Sequence, residues 1–65
     1  MELLRHIEAH LRESGTPPAR FGREAVRDPR LVFDLRRGRE PGPSLSARVR
    51  RYIEARAAAR EAVRQ

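Results

Sequence analysis

The 65-residue sequence contains no cysteine, no tryptophan and, among its fifteen basic residues, no lysine. Without cysteine the chain has neither disulfides nor thiolate metal sites to stabilise it, and two histidines do not make a structural zinc quartet. No apolar run approaches the ~18 residues of a membrane span. The start, with Glu2 and an early His6, lacks the charged-then-apolar layout of a signal peptide. A cytoplasmic location is therefore expected. Large apolar side chains are also scarce: nine of the 25 hydrophobic residues are alanine, which leaves 16 to build a core. That implies one domain spanning residues 1–65 with one small core, too small for a deep catalytic cleft.

What the sequence has in excess is positive charge. Fifteen arginines face nine acidic residues, for a net charge of +6 and an isoelectric point near 11.6. Exclusive use of arginine partly reflects GC-rich coding, so the distribution says more than the total. Residues 1–15 carry two arginines against three acids, residues 16–51 carry ten against four, and residues 52–65 carry three against two. The excess lies in the middle of the chain, and polyanions are its natural partners.

Apolar periodicity predicts four helices and no strand. Leu3, Leu4, Ile7 and Leu11 form one helical face, closed by Ser14-Gly15, which gives a helix over about 2–13. Thr16 before Pro17 reads as an N-cap, with Phe21, Ala25 and Val26 as the apolar stripe of a helix over about 17–26. Asp28-Pro29 repeats that start signal for a helix over about 29–37, with Leu31, Val32 and Leu35 inward and Gly38 as its stop. Two prolines and two glycines within 38–43 make a connecting loop. Ser44 then reads as the cap of a long helix over about 45–63, with Leu45, Val49, Tyr52 and Ile53 as its stripe.

The second and third helices are separated by so short a turn, Val26-Arg27-Asp28, that they must cross steeply, which is a helix-turn-helix geometry. Gly22 provides the small residue that lets the third helix approach. Phe21, Ala25, Val32 and Leu35 close the wedge, and Arg20, Arg23, Arg27, Arg30, Arg36, Arg37 and Arg39 surround it. On these residues, with Gly38-Arg39 and the prolines before the last helix, residues 16–53 resemble the lambda-repressor-like helix-turn-helix of the Cro and xenobiotic-response-element type. The turn differs from that family in lacking a glycine, and a β-branched residue such as Val26 resists positive φ.

The resemblance implies a small all-α regulator of transcription that binds double-stranded DNA as a homodimer, in a bacterial or phage, nucleoid-associated setting. The third helix would enter the major groove. Arg30, Phe33 and Asp34 are the expected base readers. Arg30 suits guanine, Asp34 either accepts from cytosine or holds Arg30, and Phe33 either meets a thymine methyl or folds into the core. Arg20, Arg23, Arg27, Arg36, Arg37 and Arg39 are the expected phosphate contacts. Ile53, Ala57 and Val63 are expected to pack on a second copy, since the last helix outruns a three-helix core.

Catalysis, metal, cofactor and small-molecule ligand are not expected. His6 and His10 stand four apart but lack a third ligand. Ser14, Ser44 and Ser46 lie in cap and turn contexts without a base to activate them. The last helix, rich in alanine and without tryptophan, is a poor membrane-surface helix. Two rival readings stand beside the regulator: an adaptor or antitoxin-like module whose arginines meet an acidic protein, and a non-specific nucleoid or RNA binder.

Overall fold

In a computed structural model of the chain, residues 2–64 are described, with side chains as far as position 61. Four helices follow one another: α1 (Leu3–Ser14), α2 (Pro18–Val26), α3 (Leu31–Arg36) and α4 (Pro43–Arg64). No strand occurs among the described residues. α2 packs on α3 and α4, and α1 packs on the same two helices, so the four enclose one core. The 22 residues of α4 span about 33 Å at ~1.5 Å per residue. That helix accounts for most of the 38 Å long axis, against 22 and 21 Å across.

The core consists of Leu3, Ile7 and Leu11 from α1, Phe21 from α2, Leu31, Val32 and Leu35 from α3, and Val49 and Ile53 from α4. Leu4, Ala25, Val26, Leu45 and Tyr52 pack against its edge. These are the inward residues that the apolar periodicity selects. His10 joins them, only 4% exposed, with its ring 5.5 Å from that of Phe21 and 6.4 Å from that of Tyr52.

Three helix starts differ from expectation, and proline is the cause each time. The residue before a proline is excluded from helical backbone, so Pro17, preceding Pro18, stays extended at ψ 146° and becomes the flanking residue. Thr16 is consequently no cap, and its hydroxyl instead shares a 2.8 Å bond with that of Ser14. Gly42 precedes Pro43 and its carbonyl accepts the first bond of α4, from Ser46, which puts Ser44 inside the helix rather than at its cap. Asp28-Pro29-Arg30 forms a turn instead of a helical start: Asp28 Oδ1 accepts the Arg30 N–H at 3.0 Å and the Asp28 carbonyl accepts from Leu31. Arg30 thus stands before α3 and not within its first turn.

The junction between α2 and α3 is tight. Positive φ falls on Arg27, at 60°, sparing Val26, and the Arg27 N–H returns to the Arg23 carbonyl. The next N–H, of Asp28, reaches the carbonyl of Gly22 at 3.0 Å. This brings the Asp28 carbonyl over Gly22 so closely that a Cβ there would collide with it and would also stand 3.2 Å from Leu31 Cβ. At the other end of α3, Gly38 takes φ 105°, and the N–H groups of Gly38 and Arg39 close a Schellman motif on the carbonyls of Leu35 and Asp34.

Two substitutions at the junction should act in opposite directions. Gly22→Ala should destabilise the fold by roughly 1–3 kcal/mol through overpacking against backbone. Arg27→Gly should stabilise it by about 0.5–1 kcal/mol, the left-handed penalty of a side chain less the entropy of glycine. Urea denaturation of both variants checks this; equal or reversed signs would mean that the junction is not under this constraint.

Candidate functional site

Each acidic side chain around the α2–α3 junction is already occupied. Asp28 accepts the Arg30 N–H through one oxygen and Arg39 Nη1 at 3.1 Å through the other, and these two bonds hold its pKa below the ordinary carboxylate value. Arg39 Nη1 also stands 3.4 Å from Asp34 Oδ2. Glu24 is engaged at both oxygens, by Arg20 Nε at 3.0 Å and by the Tyr52 hydroxyl at 2.8 Å, which likewise lowers its pKa. Arg36 makes a two-pronged contact with Glu8 of α1, both bonds 2.8 Å, and the Glu8 pKa is lowered by it.

The expected phosphate contacts therefore divide into two groups. Arg20, Arg36 and Arg39 are bound to carboxylates, whereas Arg23, Arg27 and Arg37 are exposed and make no ion pair among the described residues. Arg30 belongs with the unpaired set. Asp34 is held by Arg39, not by Arg30 as one sequence reading had it. Phe33 is 41% exposed on the outer side of α3, which removes the core alternative, and the Arg36 guanidinium lies 5.9 Å from its ring centre. The junction thus presents Arg23, Arg27, Arg30, Phe33 and Arg37 outward.

Of the three residues expected to meet a second copy, the side chains of Ile53 and Ala57 are described. Ile53 is 5% exposed because it belongs to the chain's own core, so it offers no surface to a partner. Ala57 is half-buried, and the side chain of Val63 lies outside the described residues.

A second feature, which the sequence reading missed, is a cleft of about 510 Å³ between the end of α1, the start of α2 and the far part of α4. Ser14, Gly15, Thr16, Arg20, Arg56, Ala59 and Arg60 line it. The i, i+4 spacing of Arg56 and Arg60 was the available signal, but it does not reveal which helices α4 faces. Below α4, buried His10 has Nδ1 without a hydrogen-bond partner among the described residues. Its pKa is pushed down, first by burial and then by the nearby Arg60 charge, which favours the neutral ring.

Among the described residues no group of three metal-ligating side chains occurs and no helix is long and apolar enough to cross a membrane. No protein-family model, curated protein or solved structure matches the chain.

Acid should weaken the fold in two separate stages. The folded state disfavours the His10 proton, so below the ordinary value of 6.5 the unfolded chain binds more protons and stability falls as pH falls. The carboxylates of Glu8, Glu24 and Asp28 have lowered pKa values, so their contribution is present above about 4.5 and is lost as pH drops through their folded-state values. Denaturation midpoints measured from pH 8 to 3 should show both stages. His10→Gln should abolish the upper stage and keep the lower; an upper stage that survives the substitution would rule His10 out as its source.

Proposed function

We propose that the chain is a sequence-specific DNA-binding module of the helix-turn-helix kind, a small transcriptional regulator that lays α3 in the major groove. The observation that carries this reading is the sorting of charges at the junction. Arg23, Arg27, Arg30 and Arg37 remain unpaired among the described residues while Asp28, Asp34 and Glu24 are each engaged by another arginine. The surface left over carries four exposed arginines near the short α3, whose other side is buried in the core. A groove about 12 Å wide admits a helix of this kind.

The roles follow from position. Arg30, fixed by its backbone bond to Asp28 just ahead of α3, is suited to a two-pronged contact with guanine O6 and N7. Phe33 offers an exposed apolar ring to a thymine methyl. Arg23, Arg27 and Arg37 flank the helix as backbone contacts, which fix register without reading sequence.

Selection of bound fragments from random duplex DNA tests the reading directly. It should recover a motif, and two half-sites about 34 Å apart in it would put a pair of chains on the duplex. With three phosphates neutralised per chain, by Arg23, Arg27 and Arg37, log K should fall against log salt with a slope of about −2.7. Arg30→Ala should weaken the selected sequence by about 1–3 kcal/mol and scrambled DNA far less, whereas Arg23→Ala should weaken both alike. A slope near zero would favour the adaptor reading, and equal affinity for scrambled DNA would favour non-specific binding.

A further inference from the structure

The cleft between α1, α2 and α4 is lined by three arginines and, among its lining residues, no acid. Each arginine is held at one point and keeps donors to spare. Arg20 gives only its Nε to Glu24, at 3.0 Å, which leaves both terminal nitrogens. The Arg56 guanidinium lies over the Tyr52 ring, 6.0 Å from its centre, and Tyr52 is itself tied by its hydroxyl to Glu24. Arg60 touches Glu13 weakly through Nη2, at 3.6 Å, while its Nη1 is shut off from solvent with no hydrogen-bond partner among the described residues.

The rest of the lining has the same polarity. The Ser14 and Thr16 hydroxyls share one hydrogen bond, so one of their two protons is still available to an acceptor. α2 begins beside them with no side-chain cap and no acidic residue in its first turn. A volume of about 510 Å³ lies in the range of small-ligand sites. Guanidinium forks match both carboxylate and phosphate, but three of them lining one cleft from two helices offer more donors than the two oxygens of a carboxylate accept, which favours phosphate.

We propose that this cleft binds a phosphate group, carried by a small phosphorylated molecule or by a nucleic-acid backbone, through Arg20, Arg56 and Arg60. The proposal is independent of the role given to α3, and its first test contains no nucleic acid, so either can fail alone.

The test titrates inorganic phosphate into the full chain at constant ionic strength, with chloride as the balancing anion. NMR follows the Gly15 and Thr16 amides, the arginine Nε–H groups and the ring protons of His10, which senses the charges of Arg56 and Arg60. Saturable shifts confined to these groups are expected. Arg56→Gln and Arg60→Gln should each weaken binding at least tenfold and Arg60→Lys less, because it keeps the charge and loses the fork. Arg51→Gln removes an equal charge from α4 outside the cleft and should change binding less than twofold. Thermal unfolding of each variant confirms that it folds.

Repeating the titration with saturating duplex separates the two sources. Displacement of phosphate by DNA assigns the cleft to the backbone, and retention assigns it to a free phosphorylated molecule. Non-saturable shifts in the folded chain, or an equal loss in Arg51→Gln, would overturn the proposal.

Discussion

The close approach of the Asp28 carbonyl to Gly22 is the constraint on which the rest of the molecule depends. Because no side chain stands between them, α2 can turn into α3 within four residues and both helices can bury their apolar faces against α1 and α4. A conventional solution would place a second glycine at the left-handed position, but here Arg27 occupies it. Isolated left-handed residues other than glycine carry a penalty of about 1–2 kcal/mol. The backbone bonds from Arg27 and Asp28 to the end of α2 offset it, and the conformation aims the Arg27 side chain at solvent, where its charge is retained.

The same turn organises the electrostatics. Asp28 is fixed by the Arg30 N–H, and from there it anchors Arg39, which also approaches Asp34. Exposed ion pairs of this type contribute at most about 1 kcal/mol each, so they are weak reasons for the fold to exist. Their larger effect is selective. By engaging the acids of α2 and α3 with Arg20 and Arg39, they leave the field around the junction to Arg23, Arg27, Arg30 and Arg37. A net charge of +6 spread over fifteen arginines gives no such pattern; pairing creates it.

The apolar framework was legible because helical periodicity encodes which face turns inward. Phe21, Val32, Val49 and the other inward residues could be named without coordinates. Helix starts were less legible, because two rules competed at Thr16-Pro17-Pro18 and at Pro43-Ser44. The preference of hydroxyl residues for caps lost to the prohibition on helical backbone before proline. Ion pairs joining distant helices, such as Arg36 with Glu8 twenty-eight positions away, are invisible to local patterns. Ile53 illustrates a different limit: its place on the stripe was readable, but whether that stripe meets its own core or another chain is decided by how far α4 runs beside α1 and α2. The cleft was hidden for the same reason, since Arg20 is separated in sequence from Arg56 and Arg60 and only the packing of α4 brings them together.

α2 links the two regions of functional interest, with Arg20 at the cleft near its start and Arg27 just past its end. Its nine residues span about 13 Å at ~1.5 Å per residue. The Debye length is about 8 Å at physiological ionic strength and ~30 Å at 0.01 M. Charge placed in the cleft is therefore largely screened from the junction in physiological salt and strongly felt there in dilute buffer. Mechanical coupling has a narrower route. Glu24 holds both Arg20 and Tyr52, and Tyr52 packs edge-on to Phe21 at 5.5 Å, so one carboxylate and one ring connect the Arg20 side chain to the core, beside the α2 backbone itself. Phe21 adjoins Gly22, over which the Asp28 carbonyl of the turn lies too closely for a Cβ. In physiological salt the two arginine surfaces are thus largely screened from one another while both rest on the same short helix.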